Sequence, residues 1–229
     1  MRLDQALVCR QMYPTRAKAV AAIKAGLVSV NDKVVTKPSL SVLETDVLIG
    51  GVLPYSVGRG SLKLAHALDY FNVLPADMVC LDIGASTGGF TQELLSRGAK
   101  RVYAVDVGTN QLADELRNDS RVVSLEKTDI RDLSPISSVD LIVIDVSFIS
   151  LTNIVEFLGP WGAKIVIALI KPQFEVPRNI AAKFNGIIKS DEWHQYSINR
   201  VIESFEEYGF KIVERIDENG WCALAVSKK

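Results

Sequence analysis

The sequence predicts a Rossmann-like doubly wound α/β sheet preceded by a small α+β head. Three observations carry this. Apolar runs such as Leu141-Ile142-Val143-Ile144 are continuous rather than alternating, as in parallel strands covered by helices on both faces. From residue 61 onward such runs alternate with helical segments, the rhythm of a parallel sheet. The chain has 229 residues, too many for one small domain and too few for two large ones. Hydrophobic residues are 48% and charged residues 23%, so disorder is excluded as the main state.

The elements follow in order. Leu3, Ala6 and Leu7, with Met12 or Cys9, give the apolar stripe of a first short helix. Pro14 and Thr15 stop and restart the chain; Thr15 is the expected N-cap of an Ala-rich helix from Arg16 to Ala25, closed by Gly26. Leu27–Val30 and Lys33–Val35 read as strands around the turn Asn31-Asp32, and Val47–Ile49 as a third. The Gly- and Pro-rich stretch 53–60 reads as a linker, separating a domain over 1–52 from one over 61–229. In the second domain strands are expected at Val79–Ile83, Arg101–Val105, Val122–Leu125, Leu141–Ile144 and Lys164–Ile170. Helices are expected after Ser61 and at Thr91–Arg97, Gln111–Arg117, Leu151–Phe157 and Trp193–Tyr208. Lys211–Arg215 and Cys222–Val226 read as an antiparallel, hairpin-like edge.

Charge divides the chain in the same place. The near-neutral total of −1 conceals nine Lys and Arg against four Asp and Glu in residues 1–63. A basic head on an acidic body points the head toward a polyanion. No run approaches the roughly 18–20 apolar residues of a membrane helix, and Met1-Arg2-Leu3-Asp4 lacks the apolar core of a signal peptide. A cytoplasmic protein with no membrane partner is expected. Cys9, Cys80 and Cys222 are too scattered for a disulfide framework or zinc site and read as small buried hydrophobes. His66 and His194 lack metal-ligand spacing, so no metal is expected.

The strongest local signal is Leu81-Asp82-Ile83-Gly84-Ala85-Ser86-Thr87-Gly88-Gly89-Phe90, a glycine loop between an apolar strand and a helix. Its glycines let backbone approach a ligand that side chains would exclude. The spacing is not the dinucleotide fingerprint, nor is there a Gly-Lys-Ser/Thr of a P-loop. A carboxylate at Asp82 would repel pyrophosphate and suits an amino group, which favours S-adenosylmethionine over a nicotinamide dinucleotide. Asp106, ending the next strand, stands where a ribose-binding acid is expected, with Val107 beside it. After the third strand, Asp129 can accept from an adenine amino group while Ile130 packs on the ring; a helix N-cap is the plainer role for Asp129 alone. Gly84, Ala85, Ser86, Gly88 and Phe90 complete the expected cofactor loop.

The fourth strand delivers Asp145 and the fifth Lys171, each charged at the end of a very apolar run. Adjacent parallel strands would bring the two to one rim, where this fold binds its substrates; a structural ion pair is the alternative. Lys63, on composition alone, reads as a surface lysine.

With these residues in view the chain resembles the hemolysin-A-like (TlyA) family, in which an S-four-type RNA-binding domain precedes an FtsJ-type RNA 2′-O-methyltransferase domain. The resemblance rests on Arg2-Leu3-Asp4, Thr15-Arg16, Gly26-Leu27-Val28 and Val34–Pro38 in the head. At the joint it rests on Arg59-Gly60 and Lys63-Leu64, and in the body on Leu81–Thr91, Val102–Val107, Asp140–Leu151 and Leu169–Glu175. It implies an S-adenosylmethionine-dependent ribose 2′-O-methyltransferase acting on RNA, most simply ribosomal RNA or ribosomal subunits. It also implies a Lys-Asp-Lys-Glu catalytic set, whose first three members match Lys63, Asp145 and Lys171. Neighbouring cations would favour the developing alkoxide, and Lys171 could act as base with Asp145 orienting it. The fourth member departs: in Glu218-Asn219-Gly220-Trp221, Trp221 takes the acid's place. A weakened enzyme that binds RNA and retains the cofactor is therefore the alternative reading. An S-four-type head implies phosphate contacts from Arg2, Arg16, Lys18, Lys33 and Lys37.

Overall fold

The computed structural model describes residues 1–13, 15–50, 60–184, 188–218 and 221–228, the side chains of Glu218 and Trp221 excepted. The chain forms two units, Met1–Ser56 and Val57–Lys229.

In the head, α1 (Leu3–Cys9) and α2 (Arg16–Lys24) pack on a three-stranded antiparallel sheet of β1 (Val28–Val30), β2 (Lys33–Val34) and β3 (Leu48–Gly50), ordered β2-β1-β3. Thr15 Oγ1 accepts from the Lys18 N–H at 3.2 Å, and Gly26 follows α2 at φ +71°, as the cap residues predict. Asn31 and Asp32 both have positive φ, 49° and 65°, which matches a tight hairpin turn to the strand twist. Leu3, Leu7, Ala19, Ala22, Ile23 and Val28 fill the core. Cys9 corrects an expectation: it is exposed, unlike the buried Cys80 and Cys222.

The body contains α3 (Gly60–Tyr70), β4 (Val79–Ile83), α4 (Gly89–Ser96), β5 (Arg101–Val105), α5 (Asp114–Arg117), β6 (Val122–Leu125) and β7 (Leu141–Ile144). It continues through β8 (Ile165–Ile170), α6 (Pro172–Glu175), α7 (Arg178–Lys183), α8 (Asp191–Glu207), β9 (Phe210–Glu218) and β10 (Trp221–Lys228). The expected linker 53–60 lies outside the described residues except Gly60, which already belongs to α3. The sheet is ordered β6-β5-β4-β7-β8-β10-β9. Its first five strands are parallel, and β10 runs antiparallel to both β8 and β9.

The final pair is antiparallel as expected, but only β9 is an edge. Burial decides the order: Cys222 to Val226 are buried on both faces, whereas Val213 in β9 is exposed. The more apolar strand takes the inner position. One face of the sheet buries Leu81, Ile83, Ile142 and Ile144 with Trp161, Phe205 and Phe210. The other buries Cys80, Val102, Val143 and Ile167 with Leu64, Leu68, Phe90 and Leu94. This is the period-two alternation of strands.

The expected helix over Leu151–Phe157 is instead a chain of 3-10 turns through Trp161. Thr152, Asn153, Ile154 and Val155 are weak helix formers, and Ser150 Oγ takes the Thr152 N–H locally. The helix expected from Gln111 starts only at Asp114, because Glu126 claims the Asn110 and Gln111 amides at 2.8 and 3.2 Å. No helix among the described residues is long and apolar enough to cross a membrane.

Candidate functional site

Beside β4 the strand order reverses, since β5 lies on one side and β7 on the other. Doubly wound sheets bind ligands in the crevice outside such a reversal. Here the carboxyl ends of β4, β5 and β7, with the loop after β6, open onto a cavity of 840 Å³. It is lined by Gly84, Ser86, Asp106, Val107, Asp129 and Ile130 from the expected cofactor set, and by Asp145.

The glycine loop closes by backbone bonding. Val105 O accepts from the N–H groups of Gly84 and Ala85 at 2.9 and 3.1 Å. A methyl group on Gly84, at φ +86°, would stand 2.9 Å from the Asp145 carbonyl oxygen. Only glycine lets β4 and β7 end this close together. Asp106 ties the loop to its own strand, accepting from Ser86 N–H at 2.8 Å and Gly108 N–H at 2.7 Å. Each of its oxygens keeps a lone pair for a further donor.

Asp82, Ala85, Gly88 and Phe90 do not line the cavity. Ala85 and Phe90 are core side chains, and Gly88 caps α4 at φ +96°. Asp82 has no exposed surface. Its Oδ2 accepts from Thr91 Oγ1 at 2.6 Å, while Oδ1 is buried without a partner. Burial pushes its carboxyl up to about 7. Asp129 caps the 3-10 turn 130–132 and pairs with Arg131 at 2.7 Å, so the plainer of its two expected roles is present.

The charged strand ends meet. Lys171 Nζ lies 2.7 Å from Asp145 Oδ1 and donates to Ser147 Oγ at 2.9 Å. Both side chains are about one-fifth exposed, 20% and 21%. Lys63 sits on α3, whose first residue, Gly60, abuts Phe90 and Asp145; no ion pair among the described residues includes it. In the head, Asp4 joins Arg2 to Arg16, whereas Lys33 and Lys37 are exposed and enter no such pair among the described residues. No cluster of metal-ligating side chains occurs among the described residues.

Sequence reasoning passed over several cavity residues: Gln111, Arg131, Ser147, Phe148, Phe174 and Arg178. Phe148 is the most unusual. It is 92% exposed, holds φ at +67°, and packs against Phe174 with ring centroids 5.3 Å apart and planes tilted by 51°. Positive φ is uncommon for an aromatic residue. Buried Glu175 anchors this loop, accepting from Ser150 Oγ and from Leu151 N–H. Periodicity carries no signal for such a turn.

A parallel sheet closed by an inserted antiparallel strand, with a glycine loop and acids at successive strand ends, defines a Rossmann-like methyltransferase. The comparisons with known proteins agree. The FtsJ-like methyltransferase family matches residues 56–217 and the S4 domain matches residues 1–48. The chain belongs to the FtsJ-like methyltransferases, in the hemolysin A and TlyA group that carries an S4 head. It is 41% identical over 222 residues to hemolysin A of Brachyspira hyodysenteriae, covering 94% of this chain and 92% of that protein. It is 40% identical to the 16S/23S rRNA (cytidine-2′-O)-methyltransferase TlyA of Mycobacterium tuberculosis, over 93% of this chain and 81% of the relative. A solved Streptococcus thermophilus structure bearing a hemolysin description superposes with TM-score 0.72 at 36% identity, covering all of this chain and 88% of the other.

Proposed function

We propose that the protein transfers a methyl group from S-adenosylmethionine to a ribose 2′-hydroxyl of RNA, with ribosomal RNA as the substrate class. The observation that carries this reading is the Asp145–Lys171–Ser147 cluster beside a cofactor-sized cavity. Two relatives of known name, at 40% and 42% identity, are rRNA cytidine-2′-O-methyltransferases.

The residues fit the cofactor. Asp82 Oδ1 is a buried acceptor without a partner, suited to an ammonium group. Asp106 offers its remaining lone pairs to ribose hydroxyls, Val107 and Ile130 supply apolar contact to a base, and Asp129 stands beside them. When bound, S-adenosylmethionine supplies an electrophilic methyl. The protein's work is then to hold the hydroxyl in line and to manage its proton. Lys171 faces the carbonyl and carboxylate ends of β7, where Asp145 fixes its direction. After giving up its own proton to solvent, the Lys171 amine would take the hydroxyl proton as the methyl passes from sulfur to the 2′-oxygen, and the ammonium of Lys63 would favour the developing alkoxide. The Arg2, Arg16, Lys18, Lys33 and Lys37 side chains of the head contact RNA phosphates.

Exposed Phe148, packed on half-buried Phe174, suits a base lifted out of its stack. Base–aromatic stacking contributes about 1–3 kcal/mol. Phe148→Ala should therefore raise KM for RNA by about tenfold or more and leave cofactor affinity unchanged. Equal KM values for variant and wild type would remove Phe148 from substrate binding.

A second reading has its own observation. Cys222 pairs with Ile170, so Trp221 falls in the row of Lys171, where the family resemblance places an acid. On that reading the chain binds RNA and cofactor but transfers slowly, and Trp221→Glu accelerates it. Incubation with ribosomal subunits and labelled S-adenosylmethionine separates the two. Label appearing in RNA ribose supports the enzyme; no transfer despite measured cofactor binding sinks it.

A further inference from the structure

Two chain segments leave the sheet side by side at the cavity, and side chains tie them together at three levels. One segment leaves β7 through Asp145, Ser147, Phe148 and Ser150; the other leaves β8 through Lys171, Phe174 and Glu175. Lys171 Nζ makes the first tie, to Asp145 and Ser147. The rings of Phe148 and Phe174 make the second. Glu175 makes the last. Its side chain is buried, with Oε2 accepting from Ser150 Oγ and Oε1 from the Leu151 N–H at 2.9 Å. Phe148 follows Asp145 at the same interval as Phe174 follows Lys171. The two segments therefore stay in register, and along both of them the ring contact lies between two polar ties.

Glu175 is an expensive way to hold a loop. Burial pushes its carboxyl up, because a desolvated charge is disfavoured. It does not line the cavity, and methyl transfer does not use it. The knot around it is larger than one side chain. The Glu175 carbonyl accepts from Arg200 Nη1 at 2.5 Å, and Arg200 Nη2 reaches Thr152 Oγ1 at 3.4 Å. Ser150 Oγ and Thr152 Oγ1 lie 2.7 Å apart. Thus α8 grips both segments where Glu175 joins them. Phe148 lacks such support. It is exposed and holds a left-handed backbone at φ +67°, a conformation that persists in an aromatic residue only where the surroundings impose it. Upstream, Lys171 fixes Ser147; downstream, Glu175 fixes Ser150 and Leu151. The direction of the ring is set by these two holds.

We propose that Glu175 is the positioning residue for Phe148, and that by tying α6 to Ser150 and Leu151 it holds the ring where an unstacked base can lie on it. This deepens, and rests on, the reading of Phe148 as a contact for the target base. Glu175 touches neither RNA nor cofactor and acts through the turn. Glutamine in its place keeps the tie: its oxygen takes the Leu151 N–H, and its amide donates to Ser150 Oγ, since a hydroxyl can play either part. Alanine removes the tie.

The test uses the full chain with S-adenosylmethionine and ribosomal subunits, and reads KM for RNA apart from kcat. Glu175→Ala should raise KM by about five- to tenfold, the effect of losing a stacked base, and leave cofactor affinity unchanged. Glu175→Gln should stay within about twofold of wild type. A merely structural role lowers the amount of active protein, and so kcat, without moving KM. The decisive variant is Glu175→Ala made in Phe148→Ala protein. Its KM should rise no further than that of Phe148→Ala, because the ring through which Glu175 acts is already gone. Additive KM effects in that double variant, an unchanged KM in Glu175→Ala, or a glutamine variant as impaired as the alanine one each overturn the proposal. If thermal unfolding shows that Glu175→Ala does not fold, Ser150→Ala replaces it in the same cycle. That change removes one donor, leaves the carboxyl its Leu151 partner, and should raise KM by about threefold; an unchanged KM there also overturns the proposal. An unchanged KM in Phe148→Ala alone, or a wild type that transfers no methyl, overturns the underlying reading and the role of Glu175 with it.

Discussion

Replacing Lys171 with methionine is expected to lower the single-turnover rate of methyl transfer by about 10²- to 10⁴-fold, the usual range for loss of a positioned acid or base. Methionine keeps the length and the apolar stem, so the end of β8 and the start of α6 should be undisturbed. What disappears is the nitrogen 2.7 Å from Asp145 Oδ1 and 2.9 Å from Ser147 Oγ. That nitrogen is the one strand-end amine paired at the cavity rim among the described residues. The loss should fall on the rate and not on cofactor affinity, because Lys171 pairs with Asp145 and does not itself line the cavity. Equilibrium binding of S-adenosylmethionine, measured beside the rate, separates the two effects. A Lys171→Met protein that transfers at the wild-type rate would take Lys171 out of the chemistry and leave Asp145–Lys171 a structural pair.

The parts of the fold that depend on pattern were legible in the sequence. Continuous apolar runs located all five parallel strands, and Thr15, Gly26 and Asn31-Asp32 acted where their chemistry predicts. The insertion of β10 between β8 and β9 was not legible, since strand order depends on which of two antiparallel runs is apolar on both faces. Nor was the run of 3-10 turns after Ser150, where tertiary bonds from Glu175 override helix-like spacing. At the site, charge at the end of an apolar strand was a sound signal, and Asp145 and Lys171 do meet. The aromatic pair was invisible, because Phe148 is placed by a left-handed backbone turn and not by any periodic pattern. The acids at strand ends were read as one set, yet the structure separates them. Asp106 lies at the cavity with backbone amides, Asp129 caps a turn, and Asp82 is buried.

That separation makes Asp82→Asn the more discriminating substitution in the cofactor loop, because it should move stability and cofactor binding in opposite directions. Asp82 is buried completely, with Thr91 Oγ1 on one oxygen and nothing on the other. Its carboxyl rises from 3.8 to about 7, chiefly through burial. A carboxyl raised in the folded state binds its proton more tightly there than in the unfolded chain. The protein therefore loses stability as pH climbs from about 4 to about 7, and above that it carries the full cost of a buried charge. At about 1.4 kcal/mol per unit this cost is at most about 4 kcal/mol. Asparagine keeps an oxygen for Thr91 and removes the charge. The unliganded variant should then melt several degrees higher than wild type at pH 8, equal it near pH 4, and lose the pH dependence between. If Asp82 Oδ1 receives the cofactor's ammonium, the same change removes a charge-assisted hydrogen bond and should weaken S-adenosylmethionine binding by about 10- to 100-fold. Calorimetric titration at pH 8 beside melting curves reads both effects. A variant that is stabilised but binds the cofactor as wild type does would confine Asp82 to fixing Thr91 and the turn into α4. One that gains no stability at pH 8 would show that the buried carboxylate finds a partner before any cofactor arrives.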